Sequence, residues 1–235
     1  MSTSSRRTAV FGAGPGLGFA AARHFAELGD RLELVARNRE RLERFATELG
    51  PTASARPADL STVAGFDRVH EEIVARGPID LVVWQVAAPT PSVQSPLELT
   101  AENERPVLEL MLLTPIHALR ALLAPMLERG TGSILVTLGA SSLGPVPSLA
   151  QLGPPQAALR LHVLGLVQAT QGSGVRVGLL VVGGLILGSD IQTQWVPTAD
   201  ADFPGALDPG ELALRYDELL VPGAPTELVV NPYAT

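Results

Sequence analysis

The segment VFGAGPGLGFAAARHFAELG, residues 10–29, constrains the fold more than any other stretch of the chain. An apolar run, TAVF (8–11), enters a turn holding Gly12, Gly14, Gly16 and Gly18, and residues 16–28 then take up a helical period. Glycines in such a turn let backbone approach a pyrophosphate closely, and the helix N-terminus can face its charge. Taken alone, the segment also fits a glycine-rich turn that binds nothing.

The rest of the chain repeats this strand-to-helix alternation. Strands are expected at 8–11, 31–36, 52–58, 80–85, 133–138, 175–182 and 227–230, and helices near 16–28, 38–49, 61–76, 99–128, 152–171 and 209–219. Asp208, Pro209 and Glu211 mark the last helix start as cap, first-turn proline and capping-box partner. Right-handed crossovers turn this order into an α/β fold, a single doubly wound domain over 1–235. Its mostly parallel seven-stranded sheet carries helices on both faces, and ligands bind at the carboxyl ends of the strands.

Composition narrows the function classes. A 46% hydrophobic, 17% charged chain can bury a large core. A net charge of -7 without a basic patch argues against nucleic acid and anionic membranes, leaving a small molecule as the expected partner. With no cysteine, disulfides and thiolate chemistry are excluded, and a cytoplasmic location is expected. The SSRR pair before an apolar run also resembles a twin-arginine leader, but the run reads better as the first strand and glycine turn. No stretch is expected to cross a bilayer, since the apolar run 175–190 is broken by glycines. No metal-ligand spacing links His24, His70, His117 and His162, so no metal site is expected.

Two further segments bear on what the glycine turn binds. The second strand runs into ARNRERLE, placing Arg37 and Asn38 where the adenosine ribose of a dinucleotide lies; an arginine there pairs with a 2′-phosphate, where an acid would select NAD. Arg37 and Arg39 also fit a solvated helix start. The third unit ends in PADL, whose Asp59 suits an adenine amino group or a simple helix cap.

Together these residues resemble the short-chain dehydrogenase/reductase superfamily, over nearly the whole chain. Gly12, Gly16 and Gly18 are similar to its Gly-xxx-Gly-x-Gly turn, Arg37 to its NADP-preferring position, and Asp59-Leu60 to its adenine-contacting pair. GSILVTLGASS resembles the strand ending at the family's serine, and QAALRLHVLGL the helix carrying its Tyr-xxx-Lys pair. The resemblance implies NADP(H) as cofactor, held by Gly12, Gly14, Gly16, Leu17, Gly18, Arg37, Asn38, Asp59 and Leu60.

It also implies a missing Asn-Ser-Tyr-Lys tetrad. The tyrosine and lysine, four residues apart on one helix face, fall at Leu152 and Gln156. The serine, about thirteen residues before the tyrosine, falls at Gly139, and the asparagine near Met111. WQVA (84–87) replaces the Asn-Asn-Ala-Gly motif, and the chain's two tyrosines, Tyr216 and Tyr233, lie far downstream. The expected pocket floor is apolar, formed by Leu152, Met111 and Gly139. Its candidate polar groups are Ser141 first, then Ser142, Gln85, Gln151 and Gln156, none of them an acid. His117 is expected to face elsewhere. The segment 183–207 stands where the family carries a substrate lid and offers Trp195, Phe203 and Asp190.

Three functions fit. The first is an NADPH-dependent reductase of an imine or activated alkene on a small apolar substrate, for which a lost tyrosine matters less than for a ketone. The second is a non-redox cyclase or isomerase that uses the apolar pocket. The third is a catalytically inactive NADP-binding protein whose cofactor half is vestigial. The apolar helices 99–128 and 152–171 further imply a homodimer or homotetramer.

Overall fold

A computed structural model describes residues 5–87 and 95–233. The chain runs β1 (Arg7–Phe11), α1 (Leu17–Glu27), β2 (Arg31–Ala36), α2 (Arg39–Leu49), β3 (Ala53–Pro57), α3 (Val63–Val74) and β4 (Leu81–Trp84). It continues through α4 (Ala101–Leu108), a π-turn (Glu109–Leu113), α5 (Thr114–Arg129), β5 (Gly132–Gly139), α6 (Gly153–Ala169) and β6 (Val175–Val182). The last part holds β7 (Leu185–Ile186), α7 (Asp190–Trp195), β8 (Ala206–Leu207), α8 (Pro209–Leu220) and β9 (Glu227–Val230).

The sheet order is β3-β2-β1-β4-β5-β6-β9, every pairing parallel, with β7 and β8 forming a separate two-stranded ribbon. Strand order reverses between β1 and β4, which opens the crevice at their carboxyl ends. All seven expected strands are present. The period-two pattern divides their side chains between two cores: Ala9, Phe11, Val82, Trp84, Ile134 and Val136 face α3, α5 and α6. Val10, Leu34, Val83, Leu135 and Leu180 face α1, α2 and α8.

Helix starts follow their caps. Asn38, Thr62 and Asp208 each accept a first-turn N–H, from Arg41, Gly65 and Glu211, and Thr100 with Asn103 forms a full capping box at α4. Proline in the first turn of α6 is accommodated, as its missing N–H would have had no intrahelical acceptor.

Two expectations need correction. The helix expected over 99–128 is two helices joined by a π-turn, at which Thr114 N–H bonds Glu109 O; Pro115, without an N–H, follows it directly. The span Ala101–Arg129, 29 residues, is also long and apolar enough to cross a membrane by length and composition. Its inward side is part of the sheet's own core, through Ala118, Leu119, Leu122 and Met126, which accounts for much of that apolar content. The lid segment 183–207 carries β7, α7 and β8, which its turn-rich composition did not announce.

Candidate active site

The glycine turn is shaped by contacts that exclude side chains. Gly12 has φ 89°, and a Cβ there would lie 2.6 Å from Gln85 O at the end of β4; a Cβ on Gly18 would lie 2.6 Å from Gly12 O. At Gly14 the nearest atom would be 3.9 Å away, so the turn is open above that residue. The first-turn N–H groups of Leu17 and Gly18 have no intrahelical acceptor, and the N-cap, Gly16, supplies no capping side chain. Tight below, open above and lined with free N–H groups, this cradle fits a pyrophosphate.

The next two βα turns lie beside it. Arg37 is exposed directly after β2, and Asn38 Oδ1 caps α2 by accepting from Arg41 N–H at 2.9 Å. Asp59 does not cap α3, which Thr62 does; its Oδ1 accepts the Ser61 N–H at 3.0 Å. That bond, a second from the Ser61 side chain and the charge of Arg37 hold its carboxyl below the usual range. A recess of about 260 Å³ opens here, lined by Ala58, Asp59, Thr62, Arg68 and Glu72 among others.

At the other end of the crevice, β5 runs into a 3-10 turn (Ala140–Ser142), which packs against α6. Gln156, only 4% exposed, bridges the two: its Oε1 accepts the Gly139 N–H at 2.5 Å and its Nε2 donates to Ser141 Oγ at 3.1 Å. A Cβ on Gly139 would sit 3.1 Å from Gln156 Oε1, so the amide occupies the space beside the glycine.

The short chain dehydrogenase family profile matches residues 6–199. The chain belongs to the short-chain dehydrogenase family. Among curated members it is 30% identical to "Oxidoreductase asL5" of Sarocladium schorii over 74% of this chain and 70% of that one. It is 33% identical to the galactitol 2-dehydrogenase (L-tagatose-forming) of Cereibacter sphaeroides over 74% and 69%. Among solved structures, an alcohol dehydrogenase from Thermococcus sibiricus complexed with 5-hydroxy-NADP is 26% identical, with TM-score 0.83, covering 99% of this chain and 98% of that one. L-Sorbose reductase from Gluconobacter frateurii, complexed with NADPH and L-sorbose, is 25% identical with TM-score 0.84 over 97% and 96%.

Within this family fold, several candidate residues turn out to serve other ends. The side chains of Leu17 and Leu60 are buried in the two cores at 4% exposure each, leaving only their backbone for a cofactor. The region expected to be an apolar floor is not purely apolar: Leu152 and Met111 are buried, but so are Gln151, Gln156, Ser141 and Ser142. The reason is the bare Gly139, beside which a polar amide fits. Ser141 and Gln156 bond one another, while among the described residues the buried Ser142 Oγ and Gln85 Nε2 have no partner.

Tyr216 is fully buried on the opposite face of the sheet, its hydroxyl 2.6 Å from Thr137 Oγ1, and burial drives its pKa well up. Tyr233 donates to Pro204 O in the lid. His117 faces α3, with Nε2 2.7 Å from Asp67 Oδ1. Among the described residues no three potential ligands gather around a metal position.

The segment 183–207 meets the glycine turn at Gly16. A Cβ on Gly16 would be 3.1 Å from Ser189 Cβ and 3.3 Å from Ile186 Cγ2. Asp190, expected as a charge for substrate, instead pairs with Arg41 at 2.7 Å, and Gln192 ties the lid together through Gly188 N–H and Val196 O. Trp195 remains 39% exposed.

One group escaped the sequence reading altogether. Glu104, in α4, has both carboxyl oxygens buried without a hydrogen-bond partner among the described residues, and that burial raises its pKa. The available signal was its place near the start of the helix that runs toward Met111.

Proposed function

We propose that this chain is a divergent NADPH-dependent reductase of the family that lacks the usual tetrad and reduces an imine or activated alkene of a small apolar substrate. The observation that carries this reading is the contrast between the two ends of the crevice. The cofactor end keeps a turn that requires glycine at Gly12, Gly16 and Gly18, and the far end carries Leu152 and a hydrogen-bonded Gln156 where the resemblance implies the acid and its activator.

On this reading Gly14, Gly16 and the N–H groups of Leu17 and Gly18 hold the pyrophosphate, Arg37 takes the 2′-phosphate, and Asp59 accepts from the adenine amino group. Gln85, whose backbone carbonyl abuts Gly12 and whose buried Nε2 has no partner among the described residues, is a further candidate donor on this reading. The NADP and NADPH complexes named for the Thermococcus and Gluconobacter proteins support the choice of dinucleotide. When bound, the reduced dinucleotide supplies a hydride. Leu152 and Met111 give the substrate an apolar wall, while Trp195 and Ile186 in the lid shield it from water. Gln156 cannot donate a titrating proton, so a carbon already activated, as in an iminium ion, suits the site better than a ketone.

Calorimetric titration with NADPH, NADP and NADH in parallel tests the reading. Micromolar NADPH binding, at least roughly tenfold tighter than NADH and levelled by Arg37→Ala, is expected. No binding of any of the three overturns it and leaves nucleotide-free chemistry. The assembly is a homodimer or homotetramer on this proposal, since Leu113 on the π-turn and Leu161 on α6 are 50% and 73% exposed. Light scattering at the monomer mass would count against it.

A further inference from the structure

We propose that Glu104 binds the substrate nitrogen and gives it its proton, which deepens the reading above by naming an imine with an apolar body as the substrate class. Glu104 sits in the second turn of α4, its N–H bonded to Thr100 O at 3.1 Å within the Thr100–Asn103 capping box. The helix start is therefore fixed. Seven residues further on lies Met111, buried at 5% exposure in the π-turn that packs against α6. Glu104 lies nearer the mouth of the crevice than Met111, because helices that follow parallel strands start at its rim.

A second contact ties this turn to the acid position. Gln151 Nε2 donates to Asn103 O at 2.8 Å, so the residue immediately before Leu152 is held against the residue immediately before Glu104. The 3-10 turn Pro147–Leu149 precedes that contact and carries no titratable group.

The charge surroundings point to what the carboxyl meets. Both oxygens are buried, and among the described residues neither has a hydrogen-bond partner. On α6 the nearest cation in sequence, Arg160, is held by Glu227 at 2.6 and 2.8 Å, and His162 is kept neutral-leaning by burial. On the helices themselves Glu102 and Arg105 are exposed, Glu109 is half-buried, and His117 is paired with Asp67. A carboxylate buried without a counter-charge is costly, so the group either holds its proton or meets a cation. An imine uses both states in turn. The acid O–H breaks as an N–H forms on the imine nitrogen, leaving an iminium cation beside the carboxylate. A bound reduced dinucleotide would supply the hydride, with its two electrons, to the iminium carbon and so give a neutral amine, while the Glu104 carboxylate takes one proton back from solvent, so that the whole consumes one hydride and one solvent proton. A ketone oxygen, far less basic than an imine nitrogen, would not draw that proton.

The test reads binding separately from turnover. Wild type, Glu104→Gln and Glu104→Asp, each checked for folding by circular dichroism, are titrated calorimetrically with 1,2,3,4-tetrahydroisoquinoline and with isochroman, its neutral oxygen isostere. NADPH oxidation with 3,4-dihydroisoquinoline is followed alongside. The expected result is that wild type prefers the amine by roughly tenfold or more and Glu104→Gln loses the preference, with Glu104→Asp between them. Equal preference in wild type and Glu104→Gln, or no preference in wild type, overturns the assignment. NADPH oxidation that survives Glu104→Gln within about twofold overturns it while leaving the reductase reading intact. An amine preference that depends on Glu104 without any NADPH oxidation supports the nitrogen site and sinks the reductase reading instead.

Discussion

Truncating Gln156 to alanine tests whether the amide bridge holds the floor of the crevice together. The change removes the acceptor of the Gly139 N–H (2.5 Å) and the donor to Ser141 Oγ (3.1 Å) at a residue only 4% exposed. Orphaning the amide N–H costs about 1–2 kcal/mol and the lost serine contact about 0.5–1 kcal/mol. One buried methylene adds about 0.8 kcal/mol, for a total near 2–4 kcal/mol. For a chain of this size that is a fall in Tm of about 4–16 °C, read by differential scanning calorimetry. Gln156→Lys should do no better, because an ammonium cannot accept the Gly139 N–H. Gly139→Ser would place a Cβ 3.1 Å from the amide oxygen, so a double-mutant cycle of Gly139→Ser with Gln156→Lys should be non-additive by about 1 kcal/mol or more. A loss below about 1 kcal/mol for Gln156→Ala, or additivity within about 0.5 kcal/mol, would refute the bridge.

Three further outcomes follow from other parts of the molecule. Gly14→Ala should leave Tm unchanged yet weaken NADPH binding about tenfold in a calorimetric titration, whereas Gly18→Ala, with its Cβ 2.6 Å from Gly12 O, should destabilise the fold itself. Glu33 is 6% exposed between Arg7, at 2.6 Å, and Arg56, at 2.8 Å, so Glu33→Ala strands two guanidinium groups and should cost about 3–5 kcal/mol by urea denaturation. Because burial raises the Glu104 pKa in the folded chain, the native state binds more protons than the unfolded state above the ordinary carboxyl value. Its contribution to stability is thus present at acid pH and lost as pH rises through the raised value. Glu104→Gln lacks that loss, so its Tm relative to wild type should climb with pH over this window; a pH-independent difference would contradict the burial.

The cofactor half was legible in the sequence because it is built from local rules. Gly12, Gly16 and Gly18 announce a turn that only glycine can make, Asn38 and Asp208 announce helix starts, and the alternation within β1, β4 and β5 sorts side chains between two faces. Each of these depends on residues within a few positions, where backbone sterics and hydrogen-bond reach decide the outcome. By the same logic the π-turn before Pro115 and the short β7 and α7 of the lid were missed, since neither has a periodic apolar pattern long enough to read.

The far end of the crevice needed the tertiary structure. That Gln156 spans from Gly139 to Ser141, that Asp190 leaves the substrate side to pair with Arg41, and that the Glu104 carboxyl is buried without a partner are contacts between residues 15 to 149 positions apart, or the lack of them. The sequence by itself determined which side chains are present: no thiol, and no tyrosine besides Tyr216 and Tyr233. Which of the remaining polar groups are spent on one another and which stay available was decided only when the folded chain brought them together, because desolvation and hydrogen-bond satisfaction belong to the packed environment rather than to any residue alone.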